Sequence, residues 1–361
     1  MRPFRRTSTV TTGRPTSSES SQRRHPKLGA LIGGLVGLGL IGWLFSSYDV
    51  VRVLDALAHV GVWGLATIVA FHLSQMFFSA LGWETIARGE PALSGAPAAS
   101  SRPRLKDYLA LRWIREAVNN LLPMAQVGGE FVVARLLQKR GVRLAQAIGG
   151  TVADLLLEIS TQVLFTFLGV ALLARIAGHS DVAVLATRAL WVATVIVAGA
   201  FVALRLGLAA LIERAVLRLG RALAWPASAE IGGLHAALAD CFHSAPRVAL
   251  AALWHLIGWL LGGLEVCLIL HFLGVDIGFG PGLVIESFGQ ALKAVGFAVP
   301  GAIGVQEGGL VVVCRLLNIP AEIAIAMSLL KRAREIVLGV PGLVLWHRTG
   351  AKLAAAPAAS L

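Results

Sequence analysis

The chain has 361 residues, of which 56% are hydrophobic and only 14% charged, and its mean hydropathy is +0.75. A soluble domain carries about a quarter charged residues, so this composition excludes one and points to a multi-spanning membrane protein. The net charge of +12 does not make a nucleic-acid surface either. The basic residues cluster beside apolar runs, as topology signals and contacts to anionic lipid headgroups do.

Residues 1–27 are rich in Ser, Thr, Pro and Arg and nearly free of apolar side chains, so a disordered basic tail is expected. Its charges directly precede a first apolar run at 28–45. That run lacks a small-x-small cleavage site and reads as an uncleaved span, which places the N-terminus in the cytoplasm. A second span is predicted at 57–81 and leads into a Pro/Ala/Ser-rich basic loop.

The next segment, 105–122, is amphipathic. It carries Arg112, Arg115, Glu116, Asn119 and Asn120 among apolar residues and ends at Pro123. Gly128, Gly129 and Glu130 follow, then an apolar stretch at 131–137. Basic residues flank the whole segment, which fits a helical hairpin that enters the membrane and returns. The alternative is an amphipathic helix lying on the surface. Non-helical backbone at membrane depth survives only where protein or a watery cavity surrounds it.

Further spans are predicted at 145–174, 189–208 and 248–273, then a second hairpin at 281–317 and a last span at 321–346. Residues 349–361 form a short cytoplasmic tail. Pro300, Gly301, Gly304 and Glu307 in the second hairpin repeat the spacing of Pro123 to Glu130. A shift of 177 positions lays 122–163 on 299–340 without gaps, placing Glu130 on Glu307, Asp154 on Lys331 and Glu158 on Glu335. Three full spans separate the hairpins, so the repeats have opposite orientation. The expected fold is all-α and polytopic, a membrane domain over 28–348 with about six spanning helices plus two re-entrant hairpins. Its inverted-repeat cores lie at 105–174 and 281–346, an arrangement common in transporters.

Charge at the bilayer centre costs about 2.5–3.5 kcal/mol on insertion scales, so ionisable groups there need a reason. Asp154 and Glu158 share one helix face, and Lys331 and Glu335 share another, with Arg332 and Arg334 beside them. If the two faces meet across the pseudo-twofold axis, Asp154 and Glu158 neutralise Lys331 and Arg334. Such pairs either hold the two halves together or line a hydrated path for a headgroup. Glu130 and Glu307 follow Pro/Gly breaks. A glutamate in a first helical turn is what the helix dipole favours; the other reading is a protonatable or headgroup-binding residue at a hairpin tip. Arg115 and Asn119 before the first tip, and Gln290 and Lys293 before the second, are the expected donors. His72, His255, Glu265 and His271 are expected to bond to neighbouring helices.

Cys241, Cys267 and Cys314 lie far apart with no CxxC or His-spaced partner, so neither a metal site nor a disulfide framework is implied. No Walker A loop, HExxH or GxSxG motif occurs, and no cofactor is expected. The oligomeric state is not readable.

The paired hairpins and the polar last span around Lys331 and Glu335 resemble the transmembrane domain of lysylphosphatidylglycerol synthases, over roughly 30–348. The run 111–123 and the Gly-Gly-Glu that follows are most similar to a hopanoid-biosynthesis-associated subgroup. The resemblance implies a bacterial inner-membrane protein that moves a polar lipid between leaflets. In full-length synthases a separate soluble domain makes the aminoacylated lipid. That domain is missing from this sequence, so no enzyme activity is expected. Membrane lipids are the expected partners, with a hopanoid or an associated phospholipid as cargo. A non-transporting scaffold for lipid-synthesis proteins is the rival reading.

Overall fold

In the computed structural model the described residues are 50–88, 103–122, 128–176, 181–208, 232–295 and 304–355, with scattered positions at 210–218. They form ten helices and no strand. The tail 1–27, the first predicted span, Pro123, Pro300 and Gly301 lie outside the described residues.

Local chemistry sets several boundaries. Helix α1, Val50–Ala87, is broken by Gly61, whose φ of 60° suits a residue without Cβ. In α2, Leu105–Leu121, the Asp107 carboxylate reaches back to the Arg104 N–H at 2.9 Å, satisfying one free donor of the first turn. The helix stops at Leu122, whose extended backbone is what a following proline imposes. Helices α3, Gly128–Lys139, and α4, Leu144–Ile176, follow. The glycines read as a turn thus open the first turn of α3, because the chain resumes helical hydrogen bonding at Gly128.

Helix α5, Asp181–Arg205, begins eight residues before the predicted span. The short α6, Leu234–Cys241, had no forecast, since eight residues give too little periodicity to read. Helix α7, Ala245–Phe272, takes Pro246 in its first turn, where the missing N–H costs nothing. Then come α8, Phe279–Val295; α9, Val305–Leu316; and α10, Ala321–Ala355.

Adding 177 to the bounds of α2, α3 and α4 gives 282–298, 305–316 and 321–353, against 279–295, 305–316 and 321–355 for α8, α9 and α10. The packing obeys the same relation. α2 packs on α3 as α8 does on α9, and α3 on α4 as α9 does on α10. The first helix of each unit then crosses over, α2 lying against α10 and α8 against α4. Between the units, α1 and α7 form the most extensive helix pair and touch both α4 and α10.

Three described helices are long and apolar enough to cross a membrane: Val53–Ala87, Leu144–Ile176 and Ala245–Phe272. Much of their surface points outward, as do Trp63, Leu164 and, on α5, Trp191 and Ile196. This is the seat for lipid, where outward apolar side chains carry no cost. The charged run at 331–335 keeps α10 out of that group despite its 35 residues. The 12-residue helices α3 and α9 span about 18 Å, short of a hydrocarbon core of about 30 Å. Helix α2 is no surface helix: Leu111, Ile114, Ala117 and Val118 are buried against its neighbours.

The apolar interior falls into two clusters. One gathers Val53 to Ile68 of α1, Val266 to Leu270 of α7 with Leu273 just past its end, α8, α9 and the start of α10. The other gathers Ala80 to Ile86 of α1, Ala251 of α7, α2, α3 and the first half of α4. Between them, at mid-length of α1, α4, α7 and α10, runs a layer of charged side chains.

Candidate functional site

The layer is built from intramembrane charges, each brought to a partner by helix packing. On α2, three-residue spacing puts Arg112 and Arg115 on one face toward α4. Arg112 binds Glu158 with both terminal nitrogens, at 3.0 and 2.7 Å. Arg115 bridges Asp154 at 2.6 Å and Glu158 at 2.8 Å, and its guanidinium lies 4.9 Å from the centre of the Trp83 ring. His255 Nε2 approaches the other Asp154 oxygen at 3.1 Å.

In the second unit, Lys293 donates to Glu335 and to Asn120 of the first hairpin, both at 2.9 Å. Arg332 binds Glu335 at 3.0 Å, Glu307 at 3.1 Å and Gln306 at 3.1 Å. Glu307 also accepts from the Gly304 N–H at 2.6 Å. Lys331 pairs with Glu286, which further accepts from Gln290 at 2.7 Å. Arg334 pairs with Glu265, and His72 lies between Glu265 and Glu116, 2.9 Å from each.

The cross-axis pairing expected from sequence does not occur. Asp154 and Glu158 take their cations from α2 of their own unit. Lys331 and Arg334 take their acids from α8 and α7. The reason is spatial, since α1 and α7 pack on both α4 and α10 and stand between them. Two further expectations fail for related reasons. Gln290 and Lys293 serve Glu286 and Glu335 rather than Glu307, which α10 reaches first through Arg332. Arg115 goes to α4, leaving Glu130 with Asn119 Nδ2 at 3.3 Å. The Asn119 oxygen accepts from the Gly129 N–H at 2.8 Å. His271 bonds to Asp276 at the exposed end of α7, not to another helix.

Sequence reading passed over Glu286 and gave no role to Arg112, Glu116 or Arg332. An isolated glutamate in the apolar run of α8 was a usable signal, because such a group needs a partner. The layer joins eight carboxylates (Glu116, Glu130, Asp154, Glu158, Glu265, Glu286, Glu307, Glu335) to six cations (Arg112, Arg115, Lys293, Lys331, Arg332, Arg334). Acids are in excess, and two histidines sit against them.

A cavity of about 260 Å³ opens into this layer. Of the residues singled out from sequence, Arg115, Asn119, Glu130, Glu158, Gln290, Lys293, Arg334 and Glu335 border it, as do His72 and His255; Asp154, Glu307 and Lys331 are not in its lining. Of the bordering acids, Glu158 and Glu335 are held by cations and Glu116 by the His72 ring, while Glu130 has neither among the described residues. Arg112 borders it as well, and the Nε–H groups of Arg112 and Arg334 are enclosed by protein and without an acceptor among the described residues. Among the described residues no cluster of His, Cys, Asp and Glu fits a metal ion.

A family model described as "Lysylphosphatidylglycerol synthase TM region" matches residues 30–342. No curated protein matches the chain. The match covers most of the chain, including both helical units and the charged layer they enclose. The chain belongs to the lysylphosphatidylglycerol synthase transmembrane-region family and is a multi-pass membrane protein involved in lipid handling.

Proposed function

We propose that this protein moves a polar lipid between the leaflets of a bacterial inner membrane, the headgroup passing through the charged cavity while the tails stay in the bilayer. Carrying a headgroup through hydrocarbon is costly for the same reason that buried charge is. A pre-formed layer of both signs lowers that barrier. The observation that carries the reading is the cavity wall. It sets an acid without a cation, Glu130, beside the cationic side chains of Arg112, Lys293 and Arg334. Those are complementary to an ammonium and a phosphate, so a zwitterionic headgroup fits, on a hopanoid-associated lipid or a phospholipid. About 260 Å³ is roughly nine times the volume of one water in the liquid, enough for such a group with a few waters. The chain acts without a cofactor or covalent chemistry, and both its termini face the cytoplasm.

The test is leaflet exchange of labelled lipids in vesicles holding wild-type protein or Glu130→Gln. Faster exchange with wild type, reduced at least several-fold in the variant, supports the path. Equal exchange by both removes Glu130 from it. No acceleration by wild type across phospholipid and hopanoid panels favours a non-transporting scaffold, to be sought by partner capture.

A further inference from the structure

His72 stands where α1, α2, α7 and α10 converge, 8% exposed, at the edge of the cavity. Its Nδ1 lies 2.9 Å from Glu265 Oε2 on α7, and its Nε2 lies 2.9 Å from Glu116 Oε1 on α2. A neutral imidazole has one N–H and one lone pair, and ionised carboxylates only accept. The arrangement therefore needs one proton more than a neutral ring and two ionised acids hold. His255 makes a useful contrast, since its single carboxylate contact is satisfied by a neutral ring.

The surrounding groups frame that proton. Arg334 from α10 and Gln75 from α1 both bind Glu265. Glu158 from α4 and Lys293 from α8 face the same cavity, each with an opposite charge on it. Glu265 is thus well supplied, whereas Glu116 has the His72 ring as its one hydrogen-bond or ion-pair partner among the described residues. The excess of acids across the layer favours a cation on the ring.

We infer that His72 is a proton-binding site, held as imidazolium between Glu116 and Glu265, and that lipid movement is coupled to release and return of this proton. The coupling rests on the transport reading above; the proton site stands without it. On release the Nε2–H bond breaks, its electron pair stays on nitrogen, and the proton passes to cavity water. A ring lone pair then faces the Glu116 carboxylate, and the α1–α2 contact loosens at the cavity wall. Glu265 keeps Arg334, so α7 and α10 stay joined. Proton return restores the contact.

The test uses the full chain, wild type and His72→Gln, a variant that keeps a donor and an acceptor but binds no proton. In nanodiscs, the side-chain ¹⁵N signal absent from the variant should report both ring nitrogens protonated at pH 7; a neutral tautomer there overturns the site. In vesicles with a trapped pH dye, wild-type exchange should depend on pH and carry protons, while His72→Gln exchanges without either. Glu116→Gln should lose the pH dependence in the same way with His72 in place, so failure of one variant to fold leaves the other decisive. Identical pH profiles in wild type and variants overturn the coupling. Absence of exchange at every pH overturns the transport reading and the coupling with it, and the nitrogen signal still decides the site.

Discussion

Glu130 and Glu307, 177 positions apart, are each the third residue of a 12-residue helix that follows a hairpin tip, yet only Glu307 has a guanidinium on it. Glu307 is clamped by Arg332 and the Gly304 N–H, whereas Glu130 has Asn119 and open cavity. The repeat supplied two equivalent carboxylates, and the packing gave one to structure and left the other free.

Glu307→Gln should therefore be a stability variant. It takes one carboxylate from Arg332, which keeps Glu335 and Gln306, and weakens the charge-assisted bond from the Gly304 N–H, a loss of about 1.5–3 kcal/mol. Glu130→Gln keeps its contact with Asn119 and should change stability by less than about 1 kcal/mol. Thermal unfolding in one detergent compares them, and equal destabilisation would refute the division of roles.

Arg115 tests how the layer is held. Arg115→Met leaves Asp154 with the His255 ring but no cation and removes one of the three bonds on Glu158, and should cost about 3–5 kcal/mol. Adding Asp154→Leu should recover a large part of that, because an uncompensated charge is worse than no pair. A double-mutant cycle on unfolding free energy reads the coupling; additive losses would contradict the geometry.

Two glycines of the repeated hairpin arms should behave oppositely. A Cβ on Gly129 would lie 2.6 Å from the Arg115 carbonyl oxygen and 2.8 Å from Asn119 Oδ1, so Gly129→Ala must push α3 off α2, at about 1–3 kcal/mol. A Cβ on Gly308 meets nothing within 4 Å, and Gly308→Ala should stabilise α9 by about 0.5–1 kcal/mol. Melting temperatures of the two variants give the comparison.

Thiol labelling separates the three cysteines. Cys241, on the eight-residue α6 outside the spans, is buried, and burial, with the Asp240 charge adding to it, pushes its thiol up to about 12. Almost no thiolate exists at pH 8, so alkylation there should be slow until the protein unfolds. Cys314 is fully enclosed, and Cys267 is partly exposed five residues before the end of α7. Mass spectrometry after brief maleimide treatment should find Cys267 modified first; rapid labelling of Cys241 would place α6 elsewhere.

The repeat was legible because proline, glycine and acids at matched spacing survive when apolar side chains drift, and the bounds of α3 and α9 follow it residue for residue. Most residues bordering the cavity were legible for a related reason, as polar and charged groups in apolar runs stand out. Their partners were not. Helices apolar on all sides carry no periodic face, so nothing along α1 or α7 says which neighbour His72 or Glu265 meets. Glu286 stood out as a lone acid, but its pairing with Lys331 did not, and the two come together because α8 and α10 both pack on α9.

The wide separation in sequence of the paired charges has a consequence for biogenesis. Glu265 waits for Arg334, 69 residues later, and Glu286 for Lys331, 45 residues later. At about 5–20 residues per second, the ribosome delivers those cations roughly 3–14 s and 2–9 s after the acids. During that interval Glu286 has no counter-charge and Glu265 has only the His72 ring and Gln75 of α1. Such a nascent chain needs those acids protonated, shielded by an insertase, or kept at the interface until α10 arrives to draw them in.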